Sequence, residues 1–183
     1  MIPQQKQILL DLAKNSIRHG LHTGKPLKID PADFPQELLE PRATFVTLHL
    51  NHELRGCIGM LKAVRPLAED IAENAFAAAF RDHRFSPLTA EEFELLEIHL
   101  SILTPPEPIP FSSEEDLLAQ LRYGIDGVII EEGGRRGTFL PSVWEALPNP
   151  KQFLKHLKQK AGLPADYWSD TLRFYRYRTE GIG

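Results

Sequence analysis

Several features are scarce in this sequence, and each absence excludes a class of protein. The 183 residues include one cysteine, Cys57, which excludes an internal disulfide and a thiolate-rich zinc site. A single unpaired thiol is typical of a reducing compartment. Lys and Arg number 21 against 25 Asp and Glu, a formal net charge of −4. The chain is therefore not a globally basic nucleic-acid binder.

Long apolar segments are also missing. No apolar run approaches the ~18 residues that a membrane span needs, and residues 1–7 lack the basic-then-apolar pattern of a secretory signal. The composition, 42% hydrophobic and 25% charged, is typical of a globular protein. We therefore expect a soluble, cytoplasmic protein that does not bind membranes, with residues 1–183 forming one domain.

Hydrophobic periodicity and turn residues predict helices, strands and the links between them. Helices are expected over residues 4–19 (ended by Gly20), 66–80, 113–122 and 150–161, with a capping box at Thr89 and Glu92. Strands are expected over residues 44–50, 54–60, 97–103, 128–132, 138–140 and 172–178, and an extended connector over 105–110. Hairpins without a βαβ rhythm favour an α+β fold with a largely antiparallel sheet and flanking helices.

The segment Leu54-Arg55-Gly56-Cys57-Ile58-Gly59 carries the most chemical information. Glycines inside a strand mark a bulge or a close backbone approach, so Gly56 and Gly59 are predicted to leave the backbone open to a ligand. Side chains alternate between the two faces of a strand, which places Arg55 and Cys57 together on one face. The opposite face, directed at the core, then carries Leu54, Ile58 and Met60.

The link between the first two strands, residues 51–53, determines what lies beside the cysteine. A three-residue loop would place Thr47 beside Cys57 and His49 beside Arg55. A two-residue loop would instead turn the apolar side chains of the first strand toward the cysteine. The apolar pattern favours the three-residue loop.

Cys57 is the candidate catalytic residue, as a nucleophile or a covalent acceptor. A guanidinium beside it would favour the thiolate, which is the nucleophilic form. The alternative is that Cys57 is a small buried hydrophobe, as free cysteines often are. Both interpretations stay open, and the sequence does not decide whether the protein is an enzyme.

The loop over residues 81–87 supplies the other candidate ligand-binding residues. Arg55 needs a partner if it is buried, since an unpaired buried charge costs several kcal/mol. We expect that partner to be Asp82, which would leave Arg84 to bind an anion beside Cys57. The alternative is that Asp82 and Arg84 pair with each other at the surface.

Two further basic clusters are weaker candidates. Arg135 and Arg136 are predicted at the tip of a glycine-rich hairpin, where they would bind phosphate or carboxylate or simply aid solubility. The last predicted strand alternates Arg and Tyr, with Arg173, Arg176 and Arg178, which indicates either a nucleic-acid surface or a charged edge strand. The seven histidines are scattered, so no metal site is expected.

The segment Leu54-Arg55-Gly56-Cys57-Ile58-Gly59 resembles the signature of the AMMECR family, whose prokaryotic members belong to the AmmeMemoRadiSam system. The resemblance extends over nearly the whole chain. Further matches occur in the family's order at residues 44–48, 82–87, 103–107, 127–130, 140–143 and 160–163. Two positions depart from the pattern: His99 stands where many members carry an acidic residue, and Ser142 where glutamine is usual. The first departure weakens any mechanism that relies on a carboxylate at that strand.

The resemblance implies a compact α+β protein of two unequal lobes, with the signature lining a cleft. It also implies a shared modification pathway, because the prokaryotic relatives are associated with a Memo-like protein and a radical S-adenosylmethionine enzyme. These two proteins are the expected partners, together with a small anionic ligand bound beside Cys57 by Arg55, Gly56, Gly59, Asp82 and Arg84, whereas nucleic acid is not expected. The resemblance names no substrate, reaction or cofactor.

Overall fold

Sixteen short elements follow one another along the chain, and the computed structural model describes residues 1–183. The helices are α1 (Pro3–Thr23), α2 (Leu67–Phe80), α3 (Ala90–Phe93), α4 (Glu114–Gln120) and α5 (Pro150–Lys160), with 3₁₀ turns at Pro31–Asp33, Gln36–Leu38 and Pro141–Glu145. The strands are β1 (Thr44–Leu50), β2 (Glu53–Gly59), β3 (Glu97–Leu103), β4 (Glu107–Pro108), β5 (Gly127–Glu132), β6 (Arg135–Phe139), β7 (Arg173–Tyr177) and β8 (Thr179–Ile182). None of the helices is long and apolar enough to span a membrane.

The strands form two antiparallel four-stranded sheets, which confirms the predicted α+β class. The chain divides into two compact units, one made of residues 1–103 and 180–183 and the other of residues 104–179. Each unit contains its own sheet and its own buried apolar cluster. The assignment of residues 1–183 to one domain stays a prediction.

The first unit packs α1 and α2 against a sheet of order β2-β1-β3-β8. Buried side chains of α1 recur at helical spacing, at Leu9, Leu12, Ala13, Ser16 and Ile17. α2 presents alanines and Ile71 to β1 and β2, so the helix backbone approaches the sheet closely. This close approach becomes important for the site described below.

The predicted end of the first helix at Gly20 is wrong. α1 continues to Thr23, and Gly24 ends it in the left-handed conformation with φ 73°. Gly20 is buried against the rings of Phe76 and Phe80, where an added Cβ would lie 2.5 Å from a Phe80 ring carbon. The glycine therefore serves helix packing, and the capping glycine is four residues later.

The second unit packs α4 and α5 around a sheet of order β4-β7-β5-β6. Trp144 stacks on Phe153 with ring centroids 3.8 Å apart, and its indole N–H donates to the backbone oxygen of Asp126 at 2.8 Å. Asn149 caps α5 through hydrogen bonds from Lys151 and Gln152 backbone nitrogens, a position at which asparagine is favoured.

The second half of the chain differs from the sequence-based expectations at three places. The turn between β5 and β6 is Gly133-Gly134, and Arg135 and Arg136 lie within β6 opposite Glu132 and Glu131 rather than at a tip. The connector at 105–110 contains the short strand β4, which pairs with β7. The last predicted strand, over residues 172–178, is confirmed as β7, but the sequence does not predict β8, which follows β7 and joins the first sheet.

Candidate functional site at Cys57

The hairpin of β1 and β2 sets the position of the lone cysteine. Its turn contains two residues, Asn51 and His52, with φ values of 51° and 67°, a geometry that matches the twist of antiparallel strands. Thr47 nevertheless lies opposite Cys57, because the register shifts between Leu48 and the next residue of β1. The predicted neighbour of the cysteine is therefore right, although the predicted three-residue loop is wrong.

The register shift is a β-bulge that leaves Arg55 without a partner on β1. Leu48 pairs with Gly56 and His49 pairs with Leu54, so the predicted pairing of His49 with Arg55 is wrong. A bulge inserts one residue and redirects the side chains around it. In this hairpin the extra residue is the arginine of the signature.

The core face of β2 is smaller than the alternation predicts. Ile58 packs against the first apolar cluster, whereas Leu54 and Met60 are exposed. Leu54 precedes the bulge at Arg55, and Met60 lies beyond the end of the strand at Gly59. Alternation therefore holds only between the bulge and the strand's last residue.

The two glycines of the signature are required by the protein's own packing. A Cβ on Gly56 would overlap the backbone oxygen of Ala78 in α2, and a Cβ on Gly59 would overlap Thr44 and the ring of Phe45. The predicted open space beside the strand is therefore filled. A ligand-binding role for the backbone of the two glycines stays a prediction.

One carboxylate joins the cysteine to an arginine. Asp82 Oδ2 accepts from the Cys57 backbone N–H at 3.0 Å and from Arg84 Nη2 at 2.7 Å, while Oδ1 accepts from Arg84 Nε at 3.0 Å. The hydrogen bonds from Arg84 and from the Cys57 N–H hold the pKa of Asp82 well below its usual range, although burial opposes them. Asp82 is therefore ionised at neutral pH and is a poor proton acceptor.

Arg84 is held at the surface beside the thiol. Its side chain is 57% exposed, whereas that of Asp82 is buried. The hydrogen bond to Asp82 raises the pKa of Arg84 further, so the guanidinium is always protonated. Asp82 accepts from Nε and Nη2. The third nitrogen, Nη1, has no protein acceptor and is available to an anion.

Arg55 has a different role from the one expected. Its Nε and Nη2 donate to the Glu92 carboxylate at 2.8 and 3.1 Å, and Nη2 also donates to the backbone oxygen of Ser86 at 2.6 Å. The predicted pairing of Arg55 with Asp82 is therefore wrong, and the alternative pairing of Asp82 with Arg84 is correct. Arg55 lowers the pKa of Glu92 to about 2. Direct ligand binding by Arg55 stays a prediction.

The burial of Arg55 explains why it takes a carboxylate from another element. Its side chain is only 11% exposed, and its third nitrogen, Nη1, is buried without a hydrogen-bond partner. The guanidinium lies 5.7 Å from the centre of the Phe85 ring. Arg55 thereby ties the edge strand β2 to the 81–87 loop and to α3, and so fixes the loop that carries Asp82 and Arg84.

The thiol itself is half-buried and has one polar side-chain neighbour. Cys57 Sγ lies 3.3 Å from the hydroxyl of Thr47, and this hydroxyl is able to donate to a thiolate. On the other side of β1, Thr47 pairs with His99, one of the two departures from the family pattern. The ring of His99 lies 5.6 Å from that of His49, and no group of three or more metal-binding side chains occurs in the structure.

The two weaker basic clusters, on the second hairpin and on the last predicted strand, already have some protein partners. Arg136 pairs with Glu131 at 3.2 Å, and Arg135 donates to the backbone oxygen of Gly162. Arg176 and Arg178 line a cavity with Arg122 in the second unit. The predicted row of arginines along the last strand therefore contributes to a concave site, and Ser142 lies exposed in a 3₁₀ turn of the same unit.

Two residues of the site were not singled out from the sequence. Glu92 was predicted only as half of the capping box with Thr89, which it also forms, and Ser86 contributes only its backbone. One signal for Glu92 is present in the sequence. A buried Arg55 needs an acidic partner, and Glu92 is the first acidic residue after the 81–87 loop that a capping box holds in place. A bidentate carboxylate on a fixed helix turn is the preferred partner of a guanidinium.

These features define a class: an α+β protein with two antiparallel sheets, in which one half-buried cysteine lies beside a carboxylate-held arginine. The sequence model of the AMMECR1 family matches residues 10–182. The chain therefore belongs to the AMMECR1 family, which confirms the resemblance found in its signature.

Relatives in archaea and bacteria cover most of the chain. A protein of Methanothermobacter thermautotrophicus is 38% identical over 178 residues, which are 94% of this chain and 90% of the relative. A protein of Thermotoga maritima is 40% identical over 167 residues, 90% of each chain. The crystal structure of an uncharacterised protein from Pyrococcus horikoshii matches with a TM-score of 0.92 at 35% identity, covering 99% of this chain and 92% of that one.

Proposed function

We propose that this protein is a component of a modification pathway, acting in the cytoplasm with a Memo-like protein and a radical S-adenosylmethionine enzyme, and that it binds a small anionic ligand between Arg84 and Cys57. Cys57 is the candidate nucleophile or covalent acceptor of this site. Arg84 is the anion-binding group. Asp82 and Arg55 are positioning residues, the first for the guanidinium and the second for the loop.

One observation supports this site above the others. The same oxygen of Asp82 accepts hydrogen bonds from the Cys57 backbone and from Arg84, so the exposed guanidinium is fixed close to the lone thiol. An exposed arginine without such an anchor would lose rotamer entropy on binding a ligand. The buried carboxylate has already ordered Arg84.

The site is tested by comparing an anionic and a neutral alkylating probe. In both reactions the Cys57 sulfur forms a bond to the CH₂ carbon, the carbon–iodine bond breaks, and iodide leaves with the bonding electrons. Because Cys57 is the only cysteine, the labelling rate reports on one site. We expect the rate ratio of iodoacetate to iodoacetamide to fall several-fold in Arg84→Gln.

Arg81→Gln is the matched control, since Arg81 is the first residue of the same loop and lies over the Phe76 ring, 4.9 Å from its centre. The control should leave the ratio unchanged, and added salt should reduce it in the wild type. A ratio that Arg84→Gln does not alter contradicts anion binding at Cys57. Labelling that occurs only after unfolding contradicts an accessible thiol.

Direct association is the test of the pathway. The recombinant full chain, mixed with the Memo-like protein and the radical S-adenosylmethionine enzyme of the same genome, should form a complex with at least one of them on size-exclusion chromatography. The failure of both to bind contradicts the proposed partnership without affecting the anion site.

A second function is favoured by the packing of the signature. The glycines fit the protein's own backbone, and Cys57 Sγ contacts Thr47, as expected of a non-catalytic module for a partner protein or small anion in which Cys57 is structural. Cys57→Ser distinguishes the two functions. Full pathway activity of the folded variant supports the binding module, whereas loss of activity with unchanged stability supports the nucleophile.

A further inference from the structure

The second unit contains a cavity of about 290 Å³ that belongs to no part of the signature. Its lining is rich in arginine. The residues around it are Thr104, Pro105, Glu107, Arg122, Arg176, Tyr177 and Arg178. This volume is close to the lower end of the range for small-molecule sites, about 300–1,000 Å³, so the cavity suits a small ligand.

A buried aspartate holds two of the arginines on either side of it. Asp126 is fully buried, and its Oδ1 accepts from Arg122 Nε at 3.0 Å and from Arg122 Nη2 at 2.6 Å. Its other oxygen lies 3.8 Å from Arg176 Nη1, and Arg176 Nη2 donates to the backbone oxygen of Gln120 at 3.1 Å. One carboxylate therefore fixes two guanidinium groups within reach of each other.

The third arginine has no protein partner for its side chain. The backbone N–H of Arg178 donates to the hydroxyl of Thr104 at 2.8 Å, which anchors the main chain while the side chain lines the cavity. Because the Thr104 oxygen accepts that bond, its hydroxyl hydrogen is free to donate to a ligand. The cavity thus offers a hydroxyl donor beside an unpaired guanidinium.

The charges around the cavity do not cancel. Three guanidinium groups face it, against the carboxylates of Asp126 and Glu107. Asp126 hydrogen-bonds Arg122 and lies 3.8 Å from Arg176, and Glu107 is exposed. An excess of one positive charge in a concave site favours an oxyanion, and the planar fork of arginine matches the geometry of phosphate and carboxylate.

We propose that this cavity is a second ligand site, which binds a small oxyanion of the phosphate or carboxylate class through Arg122, Arg176, Arg178 and the hydroxyl of Thr104. The site is independent of Cys57 and of the function proposed for it. Arg122 and Arg176 are ordered before the ligand arrives, and Arg178 closes on the anion. The 290 Å³ volume accommodates the anionic group with a small organic substituent.

Isothermal titration of the full chain tests this site with two probes, inorganic phosphate and malonate, each at constant ionic strength. We expect saturable binding of at least one. Phosphate alone, malonate alone or both support the site, and the stronger probe identifies the class of its natural ligand. The absence of saturable heat with either probe overturns the proposal.

Three substitutions distinguish binding in this cavity from non-specific electrostatic attraction and from binding at Cys57. Arg178→Gln should weaken the binding about tenfold, whereas Arg173→Gln, at an exposed arginine that begins β7 and does not line the cavity, should change it less than twofold. Equal weakening by both variants indicates non-specific attraction and overturns the proposal. Weakening by Arg84→Gln instead would place the anion at Cys57 and also overturn it.

Discussion

Each unit of the molecule holds an exposed arginine on a buried aspartate, but the two pairs serve different surroundings. In the first unit, Asp82 divides its hydrogen bonds between Arg84 and the backbone of Cys57. In the second, Asp126 accepts from the side chain and the backbone of Arg122 and also contacts Arg176. A buried aspartate thus positions one arginine near Cys57 in the first unit and two arginines at a cavity in the second.

The two aspartates differ in how exposed their arginine partners are, and therefore in the cost of removing the carboxylate charge. Loss of the Asp82 charge would leave an arginine that is 57% exposed and readily hydrated. Loss of the Asp126 charge would leave two guanidinium groups close together, of which Arg176 is only 20% exposed. We infer that Asp126 contributes more to stability and that Asp82 contributes more to the position of a reactive group.

Asp126→Asn should have the largest effect on stability. Removing one partner of a buried ion pair leaves uncompensated charge, and we expect the free energy of unfolding to fall by about 3 kcal/mol. Urea denaturation measures this loss, with Asp166→Asn as the exposed control in the same unit. A loss no larger than that of the control would remove the distinction between the two aspartates.

Asp82→Asn should cost less, about 1.5 kcal/mol, because solvent replaces part of the lost interaction with Arg84. The same variant should lower the iodoacetate-to-iodoacetamide ratio at Cys57, since the amide no longer holds the guanidinium in place. Asp33→Asn, at an exposed site of the first unit, is the control. A loss of stability without a change in the ratio would assign Asp82 a purely structural role.

Lowering the pH should reproduce part of the stability loss of Asp82→Asn, because protonation removes the charge of Asp82. The pKa values of Asp82 and Glu92 are lowered in the folded state, that of Glu92 to about 2. Their stabilising contribution is therefore complete above about pH 5 and is lost as the pH falls toward the folded-state pKa values. Between about pH 4.5 and 3, the wild type should lose stability more steeply than Asp82→Asn or Glu92→Gln. Parallel curves from urea denaturation would contradict this assignment.

Arg84→Lys should have the smallest effect on stability, under about 1 kcal/mol, because the residue is exposed and the charge is kept. Lysine cannot donate two hydrogen bonds in the fork geometry that Asp82 receives from arginine. The labelling ratio should therefore fall even though the net charge is unchanged. A ratio equal to that of the wild type would indicate that charge alone, without orientation, attracts the probe.

The hairpin of the signature shows how far the sequence predicts the site. Alternation of polar and apolar residues predicts the β1–β2 hairpin and the proximity of Thr47 to Cys57, because one face of the sheet is buried. It does not predict that a two-residue turn and a bulge at Arg55 together produce that pairing. A bulge and a longer loop each add one residue, so both satisfy the same pattern.

The partners of Arg55 and Arg84 are harder to predict from the sequence than the β1–β2 hairpin, because they depend on contacts between distant segments. Arg55 and Glu92 are separated by a helix and a loop, and their meeting depends on how α2 packs against β2. Sequence proximity favours Asp82 as the partner of both Arg55 and Arg84. The pair of Asp82 and Arg84 closes the shorter loop and therefore costs less conformational entropy. The return of Thr179–Ile182 to the first sheet had no strong signal, since a four-residue strand containing Gly181 has little periodicity.

The return of β8 has a consequence for synthesis. The first sheet lacks its fourth strand until Ile182, which is buried, has left the ribosome, and by then all of residues 104–179 have been translated. The first unit can collapse early around α1, α2 and the hairpin, but its β3 edge stays open while the intervening unit emerges. A released chain that ended at Leu103 would therefore present an unpaired strand edge, which is a template for association with other chains.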